Sequence, residues 1–439
     1  MRVVVVGAGL AGLTCARILR DAGAHVDLVE AGSRVGGRAR TVREPFAVGQ
    51  HVESGAEWVD THHHRMLSLL GRYGMRLEGE GQEWTAIRRM LFVGGRLLQG
   101  DEIRELDPDI DVQLERYDEL FEDIAAGIDD PARPHLHPQA AHHDARSMLD
   151  VAADAALGPF ATLLAQRNSQ GEFAEEQDGV SSLFVAQQRA QAAAQGVEGT
   201  VRAHRVEGGL GTLVGHLAAE VVDVLTTAEA VLAIDWSADG VEVRTDRRVI
   251  AADRVVLTCS LVAMRSIAFE PALPEPLAAA VRDLAYGTIT KTAVQFASRT
   301  WSSGYATTES VAQRIYEPTI DQAVGGGPSV LMAYAGGDGG RHLAERDEAA
   351  RIALITDDMR SVHGLDAEVL GAFSRAWSAQ PRYGGSYAVY GPGQVTAHWA
   401  VLREPCGPIS LAGEHVAAWT GYLEGAVESG ETAAARLLA

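Results

Sequence analysis

The sequence lacks a long hydrophobic run and has little cysteine. No stretch of about 18 uncharged apolar residues occurs among its 439 residues, and the first apolar run, at residues 3–6, leads into a glycine turn instead of a signal-peptide cleavage site. We therefore expect neither a membrane anchor nor a secretion signal. Cys15, Cys259 and Cys406 are too few for a disulfide framework and lack metal-ligand spacing. These absences favour a cytoplasmic protein.

Positive charge is scarce relative to negative charge. The chain has 38 Lys plus Arg against 59 Asp plus Glu, which gives a formal charge of −21. This balance disfavours nucleic acid and anionic membranes as partners, and it suits a cationic substrate because a negative field attracts cations. Solubility alone also explains an acidic chain, and both interpretations stay open because net charge does not say where the charges lie.

The length and the order of the secondary-structure signals predict an α/β protein with two intertwined domains. The first signals are a β-branched run at residues 2–6, a glycine turn at 7–12, a helical pattern at 13–21 and a second strand at 25–30. This is a βαβ unit. It predicts a doubly wound, Rossmann-type parallel sheet whose ligand lies at the carboxyl ends of the strands.

The rest of the sequence contains a mainly helical region followed by a region in which strand signals return. Residues 66–195 alternate acidic helical stretches with a predicted loop at 130–143, and their Ala/Gln-rich end at 187–195 predicts a helix. Further strands are predicted at 230–235, 241–245 and 254–258, and further helices at 345–362 and 425–438. The returning strands suggest that the chain re-enters the first domain.

The glycine turn matches the dinucleotide-binding pattern G-x-G-x-x-G. Its residues are Gly7, Ala8, Gly9, Leu10, Ala11 and Gly12. In such a turn the first glycine permits the tight bend, the second lets the backbone approach a pyrophosphate, and the third lets helix and strand pack closely. Glu30 ends the second strand, where an acid holds the adenosine ribose hydroxyls. The strand, the helix and the acid together predict nucleotide binding.

The residues after Glu30 indicate which nucleotide is bound. Gly36, Gly37 and Arg38 form a second glycine-containing loop that approaches a pyrophosphate, and the arginine offsets its charge. This pattern resembles the flavin-containing amine oxidase superfamily, whose members include monoamine and polyamine oxidases. The resemblance implies FAD as the cofactor.

Three further segments carry the same resemblance. The loop at 54–59, with Gly55, Ala56, Glu57 and Trp58, is similar to the loop that passes along the flavin ring. The segments 413–415 and 419–426 are similar to the closing FAD motif. The cofactor neighbours that this resemblance implies are these four loop residues, Gly413, Glu414 and Leu423, and Val231 for the adenine.

The resemblance also implies a substrate site. Lys291 stands where family members hold a water near flavin N5; the alternative is an exposed lysine on a strand. Trp377 and the segment 384–387 resemble the stretch beside the flavin, with Tyr387 and Tyr422 as an aromatic cage that favours an amine nitrogen. The alternative for the two tyrosines is an ordinary pair in the core. We predict Lys291, Tyr387, Tyr422 and Glu57 as the catalytic residues.

Two departures from the mammalian monoamine oxidases bear on the cofactor. Ser386 replaces the cysteine that bonds covalently to flavin in those enzymes, and the chain stops at Ala439 without their membrane tail. We expect non-covalent FAD in a soluble enzyme. The expected FAD-binding domain comprises 1–75, 200–284 and 385–439, and the interleaved α+β substrate-binding domain comprises 76–199 and 285–384.

Acidic residues and histidines near the expected flavin loop leave several interpretations open. Glu57 and Asp60 are predicted to contact substrate, by binding a second ammonium or acting as a base, or else to hydrogen-bond locally. The run from His62 to His64 is expected to be a solvated surface cluster and not a metal site.

The predicted reaction is the transfer of a hydride from an amine α-carbon to flavin N5, which gives an imine and, with molecular oxygen, hydrogen peroxide. Within the superfamily the alternatives are carbon–carbon desaturases, protoporphyrinogen oxidases, amino-acid oxidases, and specialised-metabolism enzymes that oxidise an amine or amide and promote cyclisation. The tyrosine pair and Lys291 favour oxidation of a C–N bond. A non-catalytic nucleotide-binding protein is the alternative from another class. A homodimer is compatible with the resemblance.

Overall fold

The structure is a computed structural model that describes residues 1–83, 90–196, 201–322 and 325–439. Within these ranges the strands, numbered β1 to β22, are Arg2–Val6, His25–Glu30, Thr41–Val42, Val52–Glu53, Val59–Asp60, Met90–Val93, Arg96–Gln99, Ala203–His204, Leu225–Thr227, Val231–Ser237, Gly240–Thr245, Val249–Ala252, Arg254–Leu257, Ala268–Glu270, Ala285–Tyr286, Ile289–Phe296, Ala306–Thr308, Arg314–Tyr316, Ser329–Gly336, Val369–Ala376, Ala388–Val389 and Ile409–Leu411. The α-helices, numbered α1 to α15, are Leu10–Asp21, His64–Arg72, Gly100–Leu106, Ile110–Ala125, Ala140–Asp144, Met148–Ala155, Pro159–Glu172, Ser182–Ala194, Leu210–Glu220, Leu261–Met264, Glu275–Asp283, Gly337–Ala344, Glu348–His363, Gln394–His398 and Leu423–Leu438.

A parallel sheet organises the nucleotide end of the molecule. Its strand order is β22-β13-β1-β2-β9, and β1 pairs in parallel with β13 on one side and β2 on the other. The buried valines of β1 suit a strand that is covered on both faces. Helix α15 packs against α1 so closely that a Cβ on Gly430 would overlap the Ala11 carbonyl oxygen. The predicted Rossmann-type α/β fold is confirmed.

A second, mainly antiparallel sheet carries the other half of the site. Its order is β20-β16-β19-β18-β17-β6-β7. Strand β16 is buried along its whole length and pairs with β19 and β20. Helix α13 packs on this sheet, and Ile355 and Met359 of that helix share an apolar cluster with Phe296 and Leu331. In the register of these strands Lys291 lies opposite Tyr334 and Arg375.

Several predicted elements are confirmed. Strands β10, β11 and β13 correspond to the runs predicted at 230–235, 241–245 and 254–258, and β10 to β12 and β14 form one sheet. Helices α8, α13 and α15 correspond to those predicted at 187–195, 345–362 and 425–438. Among the described residues, no helix is both long enough and apolar enough to cross a membrane.

The region from 66 to 195 departs from its prediction. Strands β6 and β7 form a hairpin at the edge of the second sheet, where β6 pairs with β17. The predicted loop at 130–143 contains a 3-10 turn at Pro134–Leu136 and the start of α5. These two strands were not predicted individually, although the domain was expected to be α+β, because the strand partner β17 of β6 lies far along the chain, where local periodicity gives no indication of it.

Candidate active site

A cavity of about 900 Å³ extends from the carboxyl ends of β1 and β2 to β16 of the second sheet. Apart from Gly12, every residue that the sequence assigned to cofactor or substrate lines this cavity. These lining residues are Gly7, Gly9, Leu10, Ala11, Glu30, Gly37, Arg38, Gly55, Ala56, Glu57, Trp58, Asp60, Val231, Lys291, Trp377, Tyr387, Gly413, Glu414, Tyr422 and Leu423. The fold therefore brings both ends and the middle of the sequence to one place.

The glycine turn after β1 has the geometry of a phosphate site. Gly7 has a φ of +104°, a region that glycine enters without strain. A Cβ on Gly12 would overlap the Gly7 carbonyl oxygen, so this glycine serves helix–strand packing and not the cavity wall. A Cβ on Gly9 meets no atom of the described residues within 4 Å. Within the described ranges no side chain caps α1 at Gly9, so the first-turn N–H groups remain available to an anion.

Glu30 lies at the end of β2 and already organises the turn. Its two carboxylate oxygens accept the backbone N–H groups of Ala8 at 2.9 Å and Gly32 at 2.6 Å. Each carboxylate oxygen has a second acceptor site, which remains for a ribose hydroxyl. The open space at Gly9, the uncapped helix and this acid fit the diphosphate and ribose of a dinucleotide such as FAD.

The partly buried Arg38 and the buried Glu414 form an ion pair beside the predicted tyrosine cage. Arg38 Nη1 donates to Glu414 Oε1 at 2.9 Å and to the Ser386 carbonyl oxygen at 2.7 Å. Glu414 Oε2 accepts the N–H groups of Ala388 at 3.2 Å and Gly421 at 3.1 Å. These N–H groups belong to the residues next to Tyr387 and Tyr422. One carboxylate therefore positions the backbone at both tyrosines, and Arg38 fixes that carboxylate.

The two tyrosines belong to a wider aromatic group. Tyr387 Oη lies 3.1 Å from Tyr334 Oη and donates to the Glu172 carbonyl oxygen at 3.0 Å. The Tyr422 ring meets the His63 ring edge-on, with centroids 5.4 Å apart. Burial raises the pKa of both Tyr387 and Tyr422 well above the ordinary value, so both phenols stay neutral near physiological pH.

Lys291 is buried, which excludes the alternative of an exposed strand lysine. Its Nζ donates to Glu57 Oε2 at 2.6 Å, to the Gly55 carbonyl oxygen at 2.9 Å and to the Glu53 carbonyl oxygen at 3.2 Å. All three ammonium protons thus have an acceptor in the segment 53–57. Lys291 holds this loop in place, and holding a water in addition would require one of these bonds to be shared.

The loop at 54–58 is also fixed from the opposite side. Trp377 Nε1 donates to the Ser54 carbonyl oxygen at 2.7 Å, and the Ala56 N–H donates to the Arg38 carbonyl oxygen at 3.1 Å. A Cβ on Gly55 would overlap that same carbonyl oxygen of Arg38. The chain passes here at backbone distance, which explains a glycine at this position.

The histidine run differs from the expected solvated cluster. His62 and His63 are only 5% and 0% exposed, whereas His64 faces solvent. The His62 ring stacks on Trp419 with centroids 4.7 Å apart, and His63 meets Trp419 edge-on. The expectation was wrong for His62 and His63 because an aromatic segment that precedes α15 covers them.

Asp60, His62 and His63 have ligand atoms within 4.8 Å of one another. However, His63 Nδ1 accepts the Asp60 N–H at 2.9 Å, which assigns the ring proton to Nε2. A metal-bound histidine normally donates its second ring N–H to a partner, and a metal at this Nε2 would require the loss of the only ring proton. We therefore interpret His63 as a hydrogen-bond acceptor of the Asp60 backbone and not as a metal ligand.

Some lining residues carried no recognised signal in the sequence. One face of α7 lines the cavity through Leu164, Arg167, Asn168, Gly171 and Glu172. The spacing of these residues predicts that they share one face of a helix, but it does not predict what that face packs against. Lys291 stands out in the composition of the sequence, because it is the one lysine among the 38 Lys plus Arg residues and the other 37 are arginines.

Comparisons with known proteins agree with this geometry. The model of the flavin-containing amine oxidoreductase family matches residues 10–438. An L-amino-acid oxidase of Siganus canaliculatus is 28% identical over 459 residues, which cover 99% of this chain and 85% of that protein. A flavin-containing amine oxidase of Danio rerio is 26% identical over 462 residues, with the same coverage of 99% and 85%.

Solved structures show the same fold. A putrescine oxidase bound to putrescine matches with a TM-score of 0.87 and 23% identity, over 100% of this chain and 99% of that one. Cyclohexylamine oxidase from Brevibacterium oxydans matches with a TM-score of 0.86 and 23% identity, over 99% of this chain and 98% of that one. Since the family match spans nearly the whole chain, the chain belongs to the flavin-containing amine oxidoreductases and is an FAD-dependent enzyme that oxidises amines.

Proposed function

We propose that Tyr387 and Tyr422 hold the substrate nitrogen while the carbon next to it is oxidised. FAD, when bound, accepts a hydride from that carbon and is reoxidised by molecular oxygen, so that an imine and hydrogen peroxide are formed. The observation that supports this assignment is the bonding of Glu414 to the backbone beside both tyrosines, in the cavity that also contains the nucleotide turn. The protein orients the donor carbon and limits the approach to the flavin.

We assign the remaining residues by their positions. The cofactor residues are those of the glycine turn, Glu30, Val231 and the segments around Arg38, Gly55, Trp377 and Glu414. Lys291 and Glu57 hold the loop at 53–57, which is expected to pass along the flavin ring. Ser386 Oγ donates to the Gly287 carbonyl oxygen at 2.8 Å and has no sulfur for a thioether. We therefore propose that the FAD is non-covalent, and acid precipitation is expected to leave the yellow colour in the supernatant.

The substrate class is tested by peroxide formation with a panel of monoamines, diamines and amino acids. We expect peroxide in equal amount to the aldehyde or ketone that forms when the imine is hydrolysed. A cyclised product from an amine or amide would indicate the specialised-metabolism alternative. No turnover with any amine, by protein that contains FAD, would contradict the proposed role of the tyrosine pair.

A second candidate is oxidation of an amino acid. Arg314 lines the cavity and donates to Asn168 Oδ1 at 3.3 Å, and the relative from Siganus canaliculatus is an L-amino-acid oxidase. A guanidinium in the substrate cavity suits a carboxylate. If this candidate is correct, Arg314→Gln is expected to lower kcat/KM for amino acids about tenfold to a hundredfold, the value of a hydrogen bond to a charged group. Oxidation of simple amines serves as the control and is expected to change little.

Three broader proposals concern the whole protein. The strands of the parallel sheet fall within 1–75, 200–284 and 385–439, and those of the second sheet within 76–199 and 285–384; this supports the proposed division into FAD-binding and substrate-binding domains. The three cysteines are free, which supports a cytoplasmic location. A homodimer is proposed from family resemblance alone, and size-exclusion chromatography with light scattering tests it.

A further inference from the structure

We infer that Asp60 accepts the proton of the substrate ammonium and that His63 is its positioning residue. This inference rests on the proposed oxidation of an amine. An alkylammonium has a pKa of about 10, so an amine reaches the protein mainly in its charged form at neutral pH. That form has no lone pair on nitrogen to assist the loss of a hydride from the adjacent carbon. The site therefore needs a group that takes up one proton.

The other cavity carboxylates already have partners or lie at the surface. Glu57 binds Lys291, Glu414 binds Arg38, Glu229 binds Arg248, Glu30 accepts two backbone N–H groups, and Glu172 is exposed. Asp60 is 8% exposed, and among the described residues no lysine or arginine nitrogen lies within 4.0 Å of its carboxylate. Its Oδ1 is buried and accepts no hydrogen bond from the residues that the structure describes. Glu57 Oε1 also accepts no hydrogen bond among the described residues, but Glu57 is already paired with Lys291. Asp60 is thus a buried cavity carboxylate that has a spare oxygen and no paired cation within the described ranges.

His63 is arranged to support that carboxylate. Its Nδ1 accepts the Asp60 N–H, so its protonated Nε2 lies on the carboxylate side, 3.6 Å from Asp60 Oδ2. Burial, with His62 and His64 nearby, lowers the pKa of His63 to about 3, which keeps the ring neutral. The same ring meets Tyr422 edge-on. His63 therefore connects the carboxylate to one of the proposed cage tyrosines.

The charge around Asp60 suits reversible proton uptake. On its own segment it faces His62 and His63, from α7 it faces Glu172, and from the segment before α15 it faces Tyr422. Burial, with Glu172 nearby, raises the pKa of Asp60 to about 7, close to the value at which a general base works best at neutral pH. In the proposed step an N–H bond of the ammonium breaks and an O–H bond forms on Asp60. The electron pair stays on nitrogen, and the proton passes to solvent after product release.

The test compares the pH dependence of kcat/KM in wild type and Asp60→Asn, with the anaerobic rate of flavin bleaching as a second readout. Wild type is expected to gain activity as the pH rises through about 7. Asp60→Asn is expected to lose about a hundredfold at neutral pH, the contribution of a general base, with unchanged FAD content. It should recover near pH 10, at which much of the amine arrives neutral. His64→Gln, a change at the exposed neighbour, is the matched control and should behave as wild type.

Variants at His63 separate positioning from simple structural support. In His63→Ala the rise of kcat/KM with pH is expected to move to higher pH, because the carboxylate loses a nearby N–H dipole. In His63→Gln the shift is expected to be smaller, because the amide supplies part of that dipole. Asp60→Glu should keep a rise of kcat/KM with pH, but centred at a different pH from wild type. This variant provides the test if Asp60→Asn does not retain FAD. Identical pH profiles in all these variants, with wild-type flavin still bleached by amine, would overturn the inference and leave amine oxidation intact. Wild-type flavin that no amine bleaches at any pH would reject both.

Discussion

Replacing Gly9 by alanine is expected to leave the chain folded while removing its ability to retain FAD. In the part of the chain that the structure describes, a methyl group at Gly9 meets no atom within 4 Å, and the backbone there has a φ of −75°, which alanine adopts freely. The methyl would instead occupy the space that a pyrophosphate needs beside the start of α1. We expect FAD to bind about a hundredfold more weakly, which corresponds to about 3 kcal/mol. Fluorescence titration of flavin into apoprotein measures the change.

Two further glycines provide the controls. Gly12→Ala places a Cβ on the Gly7 carbonyl oxygen and is expected to lower the free energy of unfolding by about 3 kcal/mol, because backbone must move. Gly215→Ala, in the open interior of α9, is expected to retain FAD and to stabilise the helix by about 1 kcal/mol. Unchanged FAD affinity in Gly9→Ala would contradict the assignment of this turn to the pyrophosphate.

Lys291→Met is expected to destabilise the protein and to slow turnover. The substitution removes the nearer cation, Lys291 Nζ at 2.6 Å, from the Glu57 carboxylate, whose side chain is 1% exposed, and leaves it only the more distant Arg205 Nη1 at 3.9 Å among the described residues. Breaking a buried ion pair from one side costs about 3–5 kcal/mol. Urea unfolding of the FAD-loaded protein measures the loss, and single-turnover kinetics measure the rate. Equal stability and rate in wild type and Lys291→Met would contradict both roles of this lysine.

The double variant Lys291→Met with Glu57→Gln isolates the ion pair. Removing both charges is expected to restore most of the stability, because an uncharged amide costs less to bury than an unpaired carboxylate. Lys291→Arg is a further control. A planar guanidinium does not reproduce three donors that converge on Glu57 and the carbonyl oxygens of Glu53 and Gly55, so we expect Arg to rescue poorly despite its charge.

Local sequence patterns predicted the nucleotide end well. The valine run of β1, the glycines that follow it and Glu30 lie within one βαβ unit, where strand, turn and helix signals depend on near neighbours in sequence. The closing motif was found by resemblance. Its approach to the same cavity depends on α15 packing against α1, which no local pattern contains.

The sequence did not indicate contacts that join distant segments. The burial of His63 depends on Trp419 and Tyr422, and the fixing of both tyrosine segments depends on Arg38 and Glu414. In the same way α7 forms a cavity wall only because the second sheet lies opposite it. Side-chain chemistry identified these residue types as candidates, whereas their partners were set by tertiary packing.

Anaerobic mixing of the FAD-loaded protein with amines tests the central claim most directly. We predict that one class of amine bleaches the flavin absorbance and that deuterium at the carbon next to nitrogen slows the bleaching, because that carbon supplies the hydride. Bound FAD that no amine, amide or amino acid reduces would contradict the account.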